Sequence, residues 1–214
     1  MDAIIDALGP NGWLELRNVS SDKDLMEISK SIGQILPHPN GRIIDLIQPK
    51  SGENTIVGTF SNRFGFERFP LHTDTAFWTT PARYVLLGSA HQSACPTMLM
   101  SAKAIWNILG KDAVNCAQRA VFKVKTINHR FFASLLFKED NAVGIKYDPT
   151  CMFPANAFAL SFQKHIAEVE ECLPKDEFVW NGSNALLIDN WNVLHGRGPA
   201  VENEKRLLKR IYLK

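Results

Sequence analysis

The chain has 214 residues, 45% of them hydrophobic and 21% charged, with a net charge of +2. That length supports one sizeable core, read as a single domain over residues 1–214, and the small net charge gives no electrostatic reason to expect nucleic acid or an anionic membrane as partner. The acidic start Met1-Asp2-Ala3-Ile4-Ile5-Asp6 lacks the basic and apolar regions of a secretory signal, no apolar run reaches the roughly 18 residues of a membrane-spanning helix, and the four cysteines (Cys95, Cys116, Cys151, Cys172) form no CxxC pair, so a cytoplasmic protein with reduced thiols is expected.

Residues 1–54 read as an entry module of helices and strands that packs on the main core. Asp2–Leu8 suits a short helix stopped by Gly9-Pro10, Trp13–Leu16 a strand, and Ser21–Ile32 a helix with Ser21 as N-cap and Asp22 and Asp24 in its first turn. Pro37, Pro39 and Gly41 punctuate a loop. Ile43–Ile47 and Thr55–Phe60 are strand candidates, and Asn62–Pro70 is a loop rich in aromatic and charged residues that leads into Leu71-His72-Thr73-Asp74.

Beyond it, Ala82–Ser89 and Thr97–Ser101 are apolar strands, while Ala102–Leu109 and Lys111–Ala120 look helical with Gly110 between them. In Val121–Asn128, Phe122 and Val124 alternate with Lys123 and Lys125, the period of a strand with one buried face. Phe158, Phe162, Ile166, Val169 and Leu173 recur at helical spacing until Pro174 ends the run. Ala185–Ile188 and Leu207–Leu213 are strands on either side of a loop holding His195. Many short strands with irregularly placed helices predict a mainly β fold with flanking helices, a sandwich or jelly roll, whose mouth suits a ligand.

Chemistry concentrates at two points. On a strand, residues i and i+2 share a face, so His72 and Asp74 can reach one metal while Thr73 turns away. Two histidines and one carboxylate make the facial triad that suits Fe(II), and His195 in Asn192-Val193-Leu194-His195-Gly196-Arg197 is the best candidate for the third ligand. An HxD pair alone equally describes a surface histidine and aspartate near a turn. Arg206 and Arg210 follow His195, four residues apart on a C-terminal strand, with Leu208 between them on the same face.

The series His72-Thr73-Asp74, Cys95-Pro96-Thr97, Leu194-His195-Gly196-Arg197 and Arg206-Leu207-Leu208-Lys209-Arg210 resembles the taurine dioxygenase and clavaminate synthase superfamily, over roughly residues 55–214. The resemblance implies a double-stranded β-helix (a cupin-like jelly roll) carrying an Fe(II)- and 2-oxoglutarate-dependent oxygenase. His72, Asp74 and His195 are then the iron ligands, and Arg206 the anchor for the distal carboxylate of 2-oxoglutarate, a role that fits the bidentate guanidinium. By the same resemblance Thr97 hydrogen-bonds the cosubstrate, although Ala94-Cys95-Pro96 stands where the family carries Gly-Gly-x before that threonine. Arg210 would help the same carboxylate or meet an anionic substrate.

The implied reaction consumes O2, releases succinate and CO2, and oxidises a C–H bond of a small metabolite such as an amino acid or biosynthetic intermediate. Asp74 points away from halogenation, since halogenating relatives lack that carboxylate, and so toward hydroxylation, with desaturation or ring closure as variants of the same chemistry. A cupin-like isomerase or hydrolase is the alternative, but it has no need of the Arg206 anchor. Arg63, Phe66, Arg68, Arg197 and Tyr147 are candidate substrate contacts.

Overall fold

The protein is described by a computed structural model covering residues 2–50, 63–201 and 206–214, with side chains from residue 4. In chain order its elements are α1 (Asp2–Asp6), a 3-10 turn (Gly9–Asn11), β1 (Trp13–Arg17), α2 (Asp22–Ile32), β2 (Ile35–Leu36), β3 (Asp45–Ile47), β4 (Phe69–His72), β5 (Tyr84–Ser89), β6 (Gln92–Ser101) and α3 (Ala102–Arg119). There follow β7 (Val121–Lys125), β8 (Arg130–Ser134), β9 (Leu136–Glu139), β10 (Ala142–Ile145), β11 (Met152–Pro154), α4 (Ala157–Cys172), β12 (Asp176–Asn181), β13 (Asn184–Asp189), β14 (Val193–Arg197) and β15 (Leu208–Leu213). The expected strand Thr55–Phe60 lies outside the described residues.

Local chemistry sets the helix ends. Ser21 caps α2 in a reciprocal capping box with Asp24, and Asn156 caps α4 through the Ala159 amide at 2.9 Å. Ser101 caps α3 through the Ala104 amide. Gly110 interrupts α3 with φ 73° and ψ −168°, a left-handed backbone that glycine adopts at little cost, so the two helical runs meet at a kink.

Two antiparallel sheets face each other. One has the strand order β1-β13-β5-β15, with β2 and β3 both pairing the far edge of β15; the other runs β12-β6-β14-β4. Strand alternation sends Val85, Leu87, Leu186, Ile188, Leu208 and Tyr212 from the first sheet to meet Leu99, Phe178, Trp180 and Val193 from the second. The opposite parity of the first sheet, including Leu86, Leu187, Ile211 and Leu213, is covered by Leu8, Leu25 and Ile32 of the N-terminal segment. The outer face of the second sheet (Leu71, Met100, Leu194) is covered by α3, α4 and the small sheet β11-β7-β8 through Ile105, Phe122, Phe162 and Ile166. Among the described residues no helix is long and apolar enough to cross a membrane, and the four cysteines are thiols rather than disulfides.

Three placements differ from the sequence expectation. His195 sits within β14 rather than in a loop, and Arg206 precedes β15 rather than lying on it. β4 ends at His72, so Asp74 is carried by the turn that follows, where Thr75 has φ 56°. The i,i+2 rule therefore describes only half of how His72 and Asp74 converge.

Candidate active site

His72 and His195 are direct cross-strand partners on β4 and β14. Their rings stand 4.4 Å apart between centroids. Three steps along β4 (Phe69 to His72) are matched by two steps of β14 (Arg197 to His195), a bulge that turns both Phe69 and His72 inward. The strands approach so closely here that a Cβ on Gly196 would lie 2.6 Å from the Phe69 carbonyl oxygen. Glycine at 196 is thus what allows the two histidines to meet.

Asp74 reaches the histidines because its turn is pinned to the opposite sheet. The Asn190 side chain accepts from the Asp74 amide at 2.8 Å and donates to the Asp74 carbonyl at 3.0 Å and the Ala82 carbonyl at 2.8 Å. Thr75 reinforces the turn, its hydroxyl donating to the Asp74 carbonyl and accepting from the Ala82 amide. The result is a buried trio in which one donor atom each of His72, Asp74 and His195 lie within 4.8 Å of one another.

The two carboxylate oxygens of Asp74 differ. Oδ1 accepts from Arg210 at 2.6 Å and from the Tyr212 hydroxyl at 3.3 Å. Oδ2 is buried without a hydrogen-bond partner among the described residues and lies 3.5 Å from His195 Nε2. A buried carboxylate oxygen left in that state is costly, and the cost vanishes if the atom ligates a cation. The Pro70 carbonyl, which can only accept, lies 3.0 Å from His72 Nδ1, so the proton sits on Nδ1 and Nε2 keeps its lone pair. Metal-bound histidines are commonly oriented by such a carbonyl.

Electrostatics sets the charge state a metal needs. Burial, then the neighbouring His195, pushes His72 down to about 3, so its imidazole is neutral at ordinary pH. Burial alone would push Asp74 up, but the Arg210 guanidinium and the two histidines outweigh it and hold the carboxyl well below the usual range. Two imidazoles, that of His72 held neutral, and one carboxylate match the set that holds Fe(II) with positions left open. The donors present therefore fit the iron that the resemblance implies.

The same cavity is lined by Thr97, Arg197, Arg206 and Arg210 around the trio, with Ile47, Phe69, Leu87 and Leu208 as apolar wall. Arg206 is buried; its Nε donates to the Cys95 carbonyl at 3.2 Å and its Nη2 to the Thr97 hydroxyl at 3.2 Å. Trp180 Nε1 also donates to that hydroxyl at 3.2 Å, so the Thr97 oxygen receives two donors and has its own proton to give. Arg210 is engaged with two carboxylates, those of Asp74 and Asp45.

The remaining candidates scatter. Arg197 lines the cavity and its guanidinium holds the Gly65 and Glu67 carbonyls of the preceding loop. Phe66 is half-buried in that loop, its carbonyl accepting from the Ala200 amide. Arg63 is exposed over the Pro149 and Thr150 carbonyls, and Arg68 is exposed near Glu170. Tyr147 is buried on the other side of β4, packed edge-on against Phe122 and Phe162, and does not line the cavity. Sequence reading missed Asn190, Trp180, Tyr212 and Asp45. Asn190 and Tyr212 lay beside quoted motifs; nothing in the spacing pointed to Asp45 or Trp180.

No protein-family model matches the sequence, and no curated protein matches it. Solved structures do. Asparagine oxygenase in complex with Fe(II), 3-hydroxyasparagine and succinate superposes with a TM-score of 0.77 at 14% identity, covering 98% of this chain and 77% of that one. The chain has the fold of this oxygenase. The non-heme iron oxygenase OrfP in complex with Fe and α-ketoglutaric acid gives a TM-score of 0.72 at 17% identity, covering 98% of this chain and 77% of that one. The PvcB protein from Pseudomonas aeruginosa gives 0.71 at 16% identity, covering 98% of this chain and 78% of that one. Each of these similarities covers almost the whole of this chain.

Proposed function

We propose that this chain is a one-domain Fe(II)- and 2-oxoglutarate-dependent oxygenase of the taurine dioxygenase and clavaminate synthase type, its two facing sheets forming the double-stranded β-helix. The observation that carries the reading is Asp74 Oδ2, buried beside two histidines without a hydrogen-bond partner among the described residues, with a buried arginine–threonine pair in the same cavity. His72, Asp74 and His195 would hold the iron. When bound, the iron and 2-oxoglutarate activate O2, giving succinate, CO2 and oxidation of a substrate C–H bond.

The protein's own residues bind, orient and keep water out. Arg206 offers charge-assisted hydrogen bonds to the distal carboxylate of the keto acid, and the Thr97 hydroxyl, fixed by two donors, directs its proton to the same group. Ile47, Phe69, Leu87 and Leu208 give the cavity a dry wall, and the Phe69 ring packs edge-on against His72 at 4.7 Å, fixing that imidazole. Tyr212 and Arg210 hold Oδ1 so that Oδ2 is the atom presented to a metal.

Hydroxylation of a small amino-acid-like metabolite is the favoured reaction. It is supported by the hydroxyasparagine and succinate held by asparagine oxygenase and the hydroxy-arginine held by OrfP. An isomerase or hydrolase on the same ligands would leave the Arg206–Thr97 pair without a task. The test is anaerobic addition of Fe(II) and 2-oxoglutarate, read by the weak visible band of the chelate. Wild type should show the band and His72→Ala should not; absence of the band in folded wild type sinks the assignment.

A further inference from the structure

Arg210 lines the cavity next to the trio, where an arginine would ordinarily be expected to catch an anionic end of a substrate. Here its fork is already filled. Nη1 donates to Asp74 Oδ1 at 2.6 Å and Nη2 to Asp45 Oδ2 at 2.9 Å. Nη2 also lies 3.2 Å from His38 Nε2, and the Tyr212 ring lies under the guanidinium at 4.9 Å from its centroid. Nε, buried and without a hydrogen-bond partner among the described residues, and the second proton of Nη1 are left, and because they lie on different edges of the guanidinium they cannot make the two-pronged grip that makes an arginine a carboxylate anchor.

Asp45 is the residue that closes the fork. It comes from β3, on the edge of the first sheet, where register sets it directly across from Arg210. It is buried, and its second oxygen accepts from the Asn40 side chain at 3.2 Å, so a nearby loop holds the carboxylate in place. A substrate carboxylate arriving at Arg210 would have to displace a buried, hydrogen-bonded carboxylate and leave it unpaired. Ile47, Leu87, Leu208 and the amide of Gln48 add uncharged groups to the lining of the same cavity.

We propose that Asp45 is a specificity-determining residue that converts Arg210 from an anion anchor into a fixed counter-ion, so that the substrate end facing Arg210 is uncharged, an amide, ester or hydroxyl rather than a free acid. This rests on the reading of the cavity as a substrate site. Asp45 acts through Arg210 and is a positioning residue.

The probe is acetate against acetamide, bound to protein loaded with Zn(II) and excess 2-oxoglutarate so that Arg206 is occupied and no turnover occurs. Binding is followed by NMR line broadening of the small molecules. Wild type should bind acetate no more tightly than acetamide. Asp45→Asn keeps the shape and an acceptor for Arg210 but removes the charge, and should gain acetate affinity about tenfold or more, the usual worth of a charge-assisted hydrogen bond. Asp45→Glu should restore the wild-type preference, which a merely structural role would not predict.

An acetate preference in wild type that Arg210→Lys reduces, or an Asp45→Asn protein with wild-type preference, overturns the proposal. If Asp45→Asn does not fold, Asp45→Ser carries the same comparison, and the wild-type ratio stands by itself. Failure of 2-oxoglutarate to bind would count against the oxygenase reading and is seen separately from the acetate result.

Discussion

Asn190 is the residue whose loss should expose how the site is built. Its amide satisfies three buried backbone groups: the Asp74 N–H and carbonyl and the Ala82 carbonyl, all within 3.0 Å, and the residue has no solvent exposure. Orphaning a buried polar group costs roughly 1–3 kcal/mol, and water entering the vacated amide volume recovers part of it. Asn190→Ala should therefore lose roughly 3–6 kcal/mol, a large share of the 5–15 kcal/mol typical of a domain. The turn bearing Asp74 should loosen with it, lowering Fe(II) or Co(II) affinity by more than about tenfold, because one ligand of three is no longer held in place.

Asn190→Asp refines the argument. The new carboxylate still accepts from the Asp74 amide but opposes two carbonyl oxygens, so its pKa in the folded state is raised by burial and by those acceptors. A raised carboxyl makes stability fall as pH rises through the folded-state value, so the gap to wild type should narrow on acidification, when protonation restores a donor. Urea denaturation of the apoprotein at several pH values and a metal titration measure both effects. If Asn190→Ala stays within 1 kcal/mol of wild type (below the low end of the 1–3 kcal/mol for even one orphaned group) and binds metal within about twofold, the reasoning fails.

Three further outcomes are expected. Arg206→Met should weaken 2-oxoglutarate binding by about 10- to 100-fold while leaving metal affinity nearly unchanged, measured by titrating the chelate band without oxygen. Gly196→Ala places a Cβ 2.6 Å from the Phe69 carbonyl oxygen and should force β14 from β4, costing about 1–3 kcal/mol and reducing metal affinity; denaturation and metal titration report each. For His72, the folded value near 3 lies below the ordinary 6.5, so between those values the unfolded chain binds more protons. The stability that neutral His72 contributes should thus be intact above about 6.5 and be lost as pH falls toward 3. His72→Asn should flatten that part of the apoprotein's pH–stability curve, and an unchanged slope would place the histidine in water.

Periodic elements are legible in the sequence alone. The Phe158–Leu173 pattern became α4, Gly110 became the kink of α3, and the alternating Val121–Lys125 became β7. These depend on interactions within a few residues: side-chain periodicity, capping and backbone freedom. β8 to β12 were not legible, because short strands are stabilised by partners distant in sequence, as when Asp176–Asn181 pairs with β6.

The candidate ligands were visible for a different reason. Metal chemistry restricts residue type so tightly that His72, Asp74 and His195 stood out, and the resemblance supplied Arg206. Sequence by itself thus determined which side chains are the candidates for the chemistry and which local segments become helices. Tertiary structure alone decided how they meet. It placed Asp74 in a turn rather than on a strand, gave the Asn190 amide the task of holding that turn across 116 residues, and aligned β3 with β15 so that Asp45 occupies Arg210. The physical reason is that a hydrogen bond or ion pair between residues far apart in sequence leaves no periodic or compositional trace in either segment. It exists only once the sheets have fixed the register.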